Sequence, residues 1–268
     1  MKEMTLREVQ LFALEILKDV HEFCVANNIR YSIAYGTLIG AIRHKGFIPW
    51  DDDIDIVMPR PDYERFCKTF KSSKGFYLFS PLNGDCYFNY SRVCDLDKTY
   101  VHSAAWCKES PTGMWIDIFP LDGVDIKQNR DVEGQILKGI GAKRNASRMP
   151  LDKWSRPMPL NYRFKVIVKK ILYFNTNNKK IVYDYEKLIT KSDYNVESYC
   201  GNKSLTTYWK KDFYPKSYFE SYTEVEFEGQ KFMATSEYDK YLRQIYGDYM
   251  QLPPEEKRVR HPQQMYWR

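Results

Sequence analysis

No stretch of this chain approaches the ~18 consecutive apolar residues of a bilayer-spanning helix. Its start, MKEMTLREVQLFALEILKDV, is amphipathic and studded with charge. A signal peptide needs an unbroken apolar run, so none is expected and a cytoplasmic location is. The six cysteines (Cys24, Cys67, Cys86, Cys94, Cys107 and Cys200) contain no CxxC pair. Without an export signal they read as reduced thiols, not as a disulfide framework. A zinc site from Cys86, Cys94, Cys107 and His102 is conceivable, but its spacing matches no familiar pattern. No internal repeat and no long low-complexity tract is visible.

What is present is a chain of 268 residues, 43% hydrophobic and 28% charged. That is enough for one large core or two modest ones. Aromatics reach 16%, with 22 tyrosines. Such a supply suits stacking on sugars or contact with a cation, although an aromatic core accounts for it equally. The net charge of +6 is uneven: residues 127–180 hold fourteen Lys and Arg against three acids. This segment is either a solvated basic helical face or a surface for phosphates, nucleic acid or an anionic membrane.

Thr5-Leu6-Arg7-Glu8 has capping-box spacing, and Val9, Phe12, Ile16, Val20 and Phe23 follow at helical intervals. Residues 5–27 therefore read as an amphipathic helix. Residues 31–35 read as a strand, broken by Gly36-Thr37, with a helix over 38–43. Residues 54–58 alternate and are β-branched, which predicts a strand stopped by Pro59 and Pro61. A helix over 62–70 follows, then strands near 76–80, 87–94 and 114–119, the last ending at Pro120. Helical spacing and basic residues dominate from 127 to about 190. Residues 222–233 look β-like, 238–246 helical, and the tail irregular. The expectation is an α/β (α+β) protein. Residues 1–126 would form a mixed sheet core with flanking helices. Residues 127–268 would form a largely helical, basic portion packed on that core, for substrate or acceptor.

The stretch GFIPWDDDIDIVMP crowds Asp51, Asp52, Asp53 and Asp55 at the mouth of a predicted strand. An EF-hand loop is excluded, because its sixth position requires Gly and holds Ile56, and its twelfth requires Glu and holds Asp62. A solvated acidic turn does not explain why Asp55 lies inside an apolar alternation. Asp53 and Asp55, two residues apart, share one side of the strand, where two carboxylates repel unless a cation intervenes. That pattern points to a divalent metal such as Mg²⁺. Asp117, alternating with Trp115 and Phe119 in WIDIF, is the candidate third carboxylate. Gly36 and Thr37, at a strand-to-helix turn, can offer N–H groups and a hydroxyl to phosphate. A strand, a Gly-Thr turn, a helix, Asp-x-Asp on the next strand and a later Asp form the nucleotidyltransferase pattern.

AYGTLIGAIRHKGFIPWDDDIDIVMP closely resembles the signature of the LicD family, which embraces the fukutin-related proteins. WIDIFPLDGV and YLRQIYGDYMQLPPEEKR resemble that family's other blocks, while about 127–220 carries no assignable motif. The resemblance implies transfer of phosphorylcholine from CDP-choline to a sugar of a cell-surface glycan of the teichoic acid or lipopolysaccharide type, with release of CMP. Another CDP-linked alditol phosphate, ribitol or glycerol, is the alternative donor group. It implies one or two Mg²⁺ ions, with Mn²⁺ as a possible substitute, and Asp53, Asp55 and Asp117 as catalytic residues and metal ligands. Asp51 would be a further ligand, and Asp52 would face away. Arg43 and Lys45 would join Gly36 and Thr37 in holding phosphate, and His44 is a candidate base. The tail residues Lys257, Arg258, Arg260 and His261 would clamp phosphate or fray. A quaternary ammonium needs an aromatic cage or a carboxylate, for which Trp50 and Trp115 are nearest in sequence. A lipid-linked glycan acceptor, met at the inner membrane face through the basic 127–180 segment, is the expected partner; nucleic acid is not. The rivals are an Asp-x-Asp glycosyltransferase, a nucleic-acid nucleotidyltransferase and a non-catalytic binding protein. The first wants several βα units upstream of Asp53, where one is available.

Overall fold

The computed structural model describes residues 1–84, 86, 88–102, 113–128, 130–148, 164–165, 167–168, 171–173, 177–209, 211–260 and 264–268. The capping box holds. The Thr5 hydroxyl accepts from the Glu8 N–H at 3.2 Å, while Glu8 Oε2 accepts from the Thr5 N–H at 2.8 Å. These bonds start α1 (Leu6–Ala26), whose Val9, Ala13, Ile16, Leu17 and Val20 are buried. After it come β2 (Ser32–Ile33), α2 (Tyr35–His44), β3 (Asp55–Pro59) and α3 (Arg60–Thr69). β1 is the short Lys2–Glu3 strand before α1.

The central sheet runs β2-β3-β7-β5-β4, with β4 at Tyr77–Phe79, β5 at Ser91–Cys94 and β7 at Trp115–Val124. β3 and β7 are parallel; the other pairs along this path are antiparallel. The mixed α/β class expected from the sequence is thus the one found. Pro120 does not end β7, as the sequence reading had it. β5 pairs with residues 115–118 of this strand and β8 (Tyr199–Gly201) with residues 122–124. Pro120 falls in the gap between the two, where a missing N–H costs no bond to either.

Beyond β7 lie α4 (Arg130–Arg148), α5 (Asn178–Ile189), β9 (Phe213–Pro215), the hairpin β10 (Tyr222–Phe227) and β11 (Gln230–Thr235), and α6 (Tyr238–Tyr246). The tail is irregular, as expected, except at its end and for a short 3-10 turn at Glu255–Lys257. Gln264–Trp267 forms β12, which pairs with β1 on one side and β6 (Thr99–His102) on the other. Alternating Met265 and Trp267 pack against the core, a pattern too short to recognise among polar neighbours. The main apolar cluster runs from Met4 to Met265. A second, built from Val124, Leu137, Tyr185, Ile189, Trp209 and Phe213, joins α4 and α5 to the sheet. Five cysteines among the described residues are free and buried; Cys107 of the zinc alternative lies outside the described residues.

Candidate active site

The acidic stretch enters β3 with alternating exposure: Asp51, Asp53 and Asp55 are half-buried, while Asp52, Ile54 and Ile56 are buried. The three half-buried aspartates alternate with the buried Asp52 and Ile54, and Asp52 borders the same cavity as Asp53. Asp52 accepts from the Arg260 guanidinium at 3.0 Å, which ties the tail to the acidic stretch. Asp55 stands in direct register with Asp117 across the parallel β3–β7 pair. Adjacent strands lie about 4.8 Å apart, so these carboxylates share one small region. Burial pushes the Asp55 carboxyl well above its ordinary range, and the charges of Asp53, Asp117 and Asp51 push it further; Arg92 opposes them.

α2 carries the Gly-Thr pair to this face, though not as a strand breaker. The helix begins at Tyr35, whose φ is +47°, so Gly36 and Thr37 form its first turn. Glycine at 36 leaves room for the acidic loop, since a Cβ there would lie 2.7 Å from Asp51 Oδ2. The buried Thr37 hydroxyl accepts from the Asp55 N–H at 2.9 Å and locks the helix start to β3. Leu38 and Ala41 are fully buried, and covering Leu38 contributes about 2 kcal/mol to holding α2 in place.

Arg43 and Lys45 sit at the other end of α2, about 10 and 13 Å along the axis from Gly36. Arg43 donates to the Tyr249 carbonyl at 2.5 Å, the Gln251 carbonyl at 3.3 Å and His44 Nε2 at 2.9 Å. It fastens the C-terminal segment to α2. His44, receiving that bond, has its pKa lowered by burial and by Arg43. Lys45 is the exposed C-cap, with φ +58°. Gly36 and Thr37 are thus gathered with the aspartates, and Arg43 and Lys45 are not. Of the tail residues, Arg260 meets Asp52 and Arg258 lies over the Trp50 ring at 5.4 Å; His261 lies outside the described residues.

Arg92 is the residue that sequence reasoning missed. On β5 it faces Asp117 in register and donates to Asp117 Oδ1 at 2.6 Å. It also donates to the Tyr90 hydroxyl at 3.0 Å, and its guanidinium lies 3.7 Å from the Phe88 ring centroid and 4.3 Å from that of Trp115. A lone arginine inside the apolar strand Ser91-Arg92-Val93-Cys94 was the available signal. Trp115 consequently stacks on a protein cation. Asp52, Asp53, Arg92, Trp115 and Asp117, with Met114 and Met265, line a cavity of about 110 Å³.

As the side chains stand, no group of three or more His, Cys, Asp or Glu residues among the described residues is placed to hold one ion. The set nevertheless consists of oxygen donors alone, and the repulsion concentrated at Asp55 is the electrostatic condition a hard divalent cation relieves.

Comparison with known proteins supplies a second line. Residues 28–152 match the model of the LicD/FKTN/FKRP nucleotidyltransferase domain. Over 99% of its length the chain is 35% identical to the lipopolysaccharide cholinephosphotransferase LicD of Haemophilus influenzae, of which it covers 99%. An uncharacterised Rickettsia typhi protein, RT0683, is 50% identical over 52 residues, 19% of this chain and 17% of that protein. A second, RP689 of Rickettsia prowazekii, is 52% identical over 48 residues, 18% of each chain. With an end-to-end relative, a matching family domain and the aspartates of that domain on one sheet face, this chain belongs to the LicD family.

Proposed function

We propose that the chain is a cholinephosphotransferase that moves phosphorylcholine from CDP-choline to a sugar hydroxyl of a cell-surface glycan precursor. The observation that carries this reading is the end-to-end similarity to the Haemophilus influenzae enzyme named for that transfer. The acidic face supports it. In the proposed reaction the acceptor hydroxyl oxygen attacks the choline-bearing phosphorus, its bond to CMP breaks, and the hydroxyl proton is lost to solvent or a carboxylate. Charge gathers on the non-bridging oxygens, so catalysis consists mostly of positioning and charge neutralisation.

Asp53, Asp55 and Asp117 would hold Mg²⁺, with Asp51 beside them. The ion would neutralise the diphosphate. The chain's own contribution is to orient these groups. Thr37 fixes the backbone of Asp55, Gly36 leaves room for Asp51, and Arg92 sets the rotamer of Asp117 while supplying one permanent positive charge. A nucleotide donor places the reaction on the cytoplasmic side, where a lipid-linked glycan acceptor would be met at the inner membrane face. No helix among the described residues is long and apolar enough to cross a membrane. Part of the basic 127–180 segment lies outside the described residues.

The test is nucleotide release from CDP-choline, CDP-ribitol and CDP-glycerol, each with Mg²⁺, with Mn²⁺ and with EDTA. Release of CMP from CDP-choline in an ion-dependent manner is expected. Preference for CDP-ribitol or CDP-glycerol would reassign the transferred group, and undiminished release in EDTA would remove the metal.

A further inference from the structure

A cavity of about 620 Å³ lies between α4 and the 204–209 connection, outside the aspartate cluster. Asp131, Gln135, Thr206, Thr207, Tyr208 and Trp209 line it. Its walls are held together by specific contacts. Gly134 allows Trp209 to lie against α4, since a Cβ at 134 would be 2.4 Å from the indole nitrogen. The buried Lys203 pairs with Glu133 at 3.2 Å, and Tyr185 donates to the Lys203 carbonyl at 3.0 Å. These bonds pin the connection to both α4 and α5.

One wall is joined by ring contacts to the start of α2. The half-buried Tyr208 ring stacks on Tyr35, with centroids 6.2 Å apart and planes 20° apart. Tyr35 immediately precedes Gly36, the residue beneath the Asp51 carboxylate. Tyr208 also meets Tyr246 edge-on at 5.7 Å.

The lining chemistry selects the ligand. Two threonine hydroxyls, an amide and a carboxylate can donate to and accept from several hydroxyls at once. Aromatic rings beside them suit the C–H face of a sugar. Charge argues against the donor's nucleotide. Lys138 and Lys211 exceed Asp131 by one charge only, and the Lys211 ammonium is already engaged by the Ile245 carbonyl at 3.3 Å, so the lining offers a diphosphate little more than one cation.

We propose that this cavity is the acceptor site and takes a neutral pyranose, one of whose hydroxyls reaches the aspartate face past Tyr208. The site rests on the transfer reading only for its role as acceptor; sugar binding itself is independent of it.

The first experiment is therefore donor-free. Saturation-transfer NMR on the full chain uses methyl β-D-galactopyranoside and methyl 2-acetamido-2-deoxy-β-D-glucopyranoside as probes. Saturable signals are expected from at least one glycoside. They should fall at least fivefold in Gln135→Ala and in Thr207→Arg, which places bulk at an exposed position, and persist in Asp53→Asn. Circular dichroism confirms that each variant is folded. No saturable signal from either probe, or signals equal in the wild type and both cavity variants, overturns the proposal. In the transfer assay, Gln135→Ala should raise the acceptor KM at least tenfold while the CDP-choline KM stays within twofold. A rise in the donor KM instead would make the cavity a nucleotide site. A wild-type enzyme that binds the sugar yet releases nothing from CDP-choline would overturn the transfer reading and leave the sugar site standing.

Discussion

Arg92 and Asp117 carry the clearest consequence at the scale of single residues. Both are largely buried and joined at 2.6 Å. Removing one partner of a buried pair leaves an uncompensated charge and costs about 3–5 kcal/mol. Arg92→Met should therefore lower the urea midpoint markedly, and Arg92→Met combined with Asp117→Asn should recover much of that loss without recovering turnover. Equal midpoints for the single and double variants would show that the pair is not coupled. Asp53→Asn and Asp55→Asn should behave oppositely: each relieves repulsion at β3, so the fold stays intact while CMP release falls by about 10²–10³-fold. Turnover unchanged in either would remove that residue from the site. The aspartates were legible in the sequence because a carboxylate inside a β alternation has no bland explanation. Arg92 was not, because a cation becomes meaningful only when a strand from elsewhere in the chain lays it opposite Asp117.

At the scale of elements, α2 shows how one helix serves two ends. Its first turn touches the acidic loop through Gly36 and Thr37. Its last turn fastens the C-terminal segment through Arg43. Two glycines on it separate function from packing. A Cβ at Gly36 meets the far end of the Asp51 side chain at 2.7 Å, which can swing away, whereas one at Gly40 meets the Gly46 carbonyl oxygen at 2.4 Å, which is backbone. Gly40→Ala should cost about 1–3 kcal/mol, as overpacking does, seen as a Tm lower by several degrees. Gly36→Ala should leave Tm nearly unchanged and reduce CMP release by displacing Asp51. A larger Tm loss at 36 than at 40 would reverse these roles. Periodicity marked α1, α3, β3 and the start of β7. It put a break at Gly36-Thr37, where the structure has a helix start, because glycine here answers a side chain arriving from residue 51. It ended β7 at Pro120, because the change of partner strand on that edge is invisible locally.

At the scale of the whole molecule, buried carboxyls tie distant segments together. Asp212 accepts from the Tyr35 hydroxyl at 2.6 Å and from Tyr214 at 2.8 Å, linking α2 to the β9 region. Burial pushes its pKa up to about 7. Glu186 on α5 is likewise raised to about 7 by burial, beside Arg60 and Asp122. For an acid raised in the folded state, the unfolded chain ionises first as pH climbs. The folded state then binds more protons, and stability falls between about pH 4 and pH 7 before levelling off. Urea midpoints should be higher at pH 5 than at pH 8, and Asp212→Asn should shrink that difference. A midpoint that rises across this window would contradict the assignment of both groups.

The sequence by itself determined the mixed α/β class, the capping of α1, the sharing of one strand face by Asp53 and Asp55, and the family. Each rests on short-range periodicity or on a contiguous motif. Only the tertiary structure decided that Asp117 stands in register with Asp55, that Arg92 lies over Trp115, that Arg43 holds the tail, and that β12 closes a sheet with the first residues of the chain. These depend on strands and loops brought together from far apart, and no local pattern records which partner a side chain will meet.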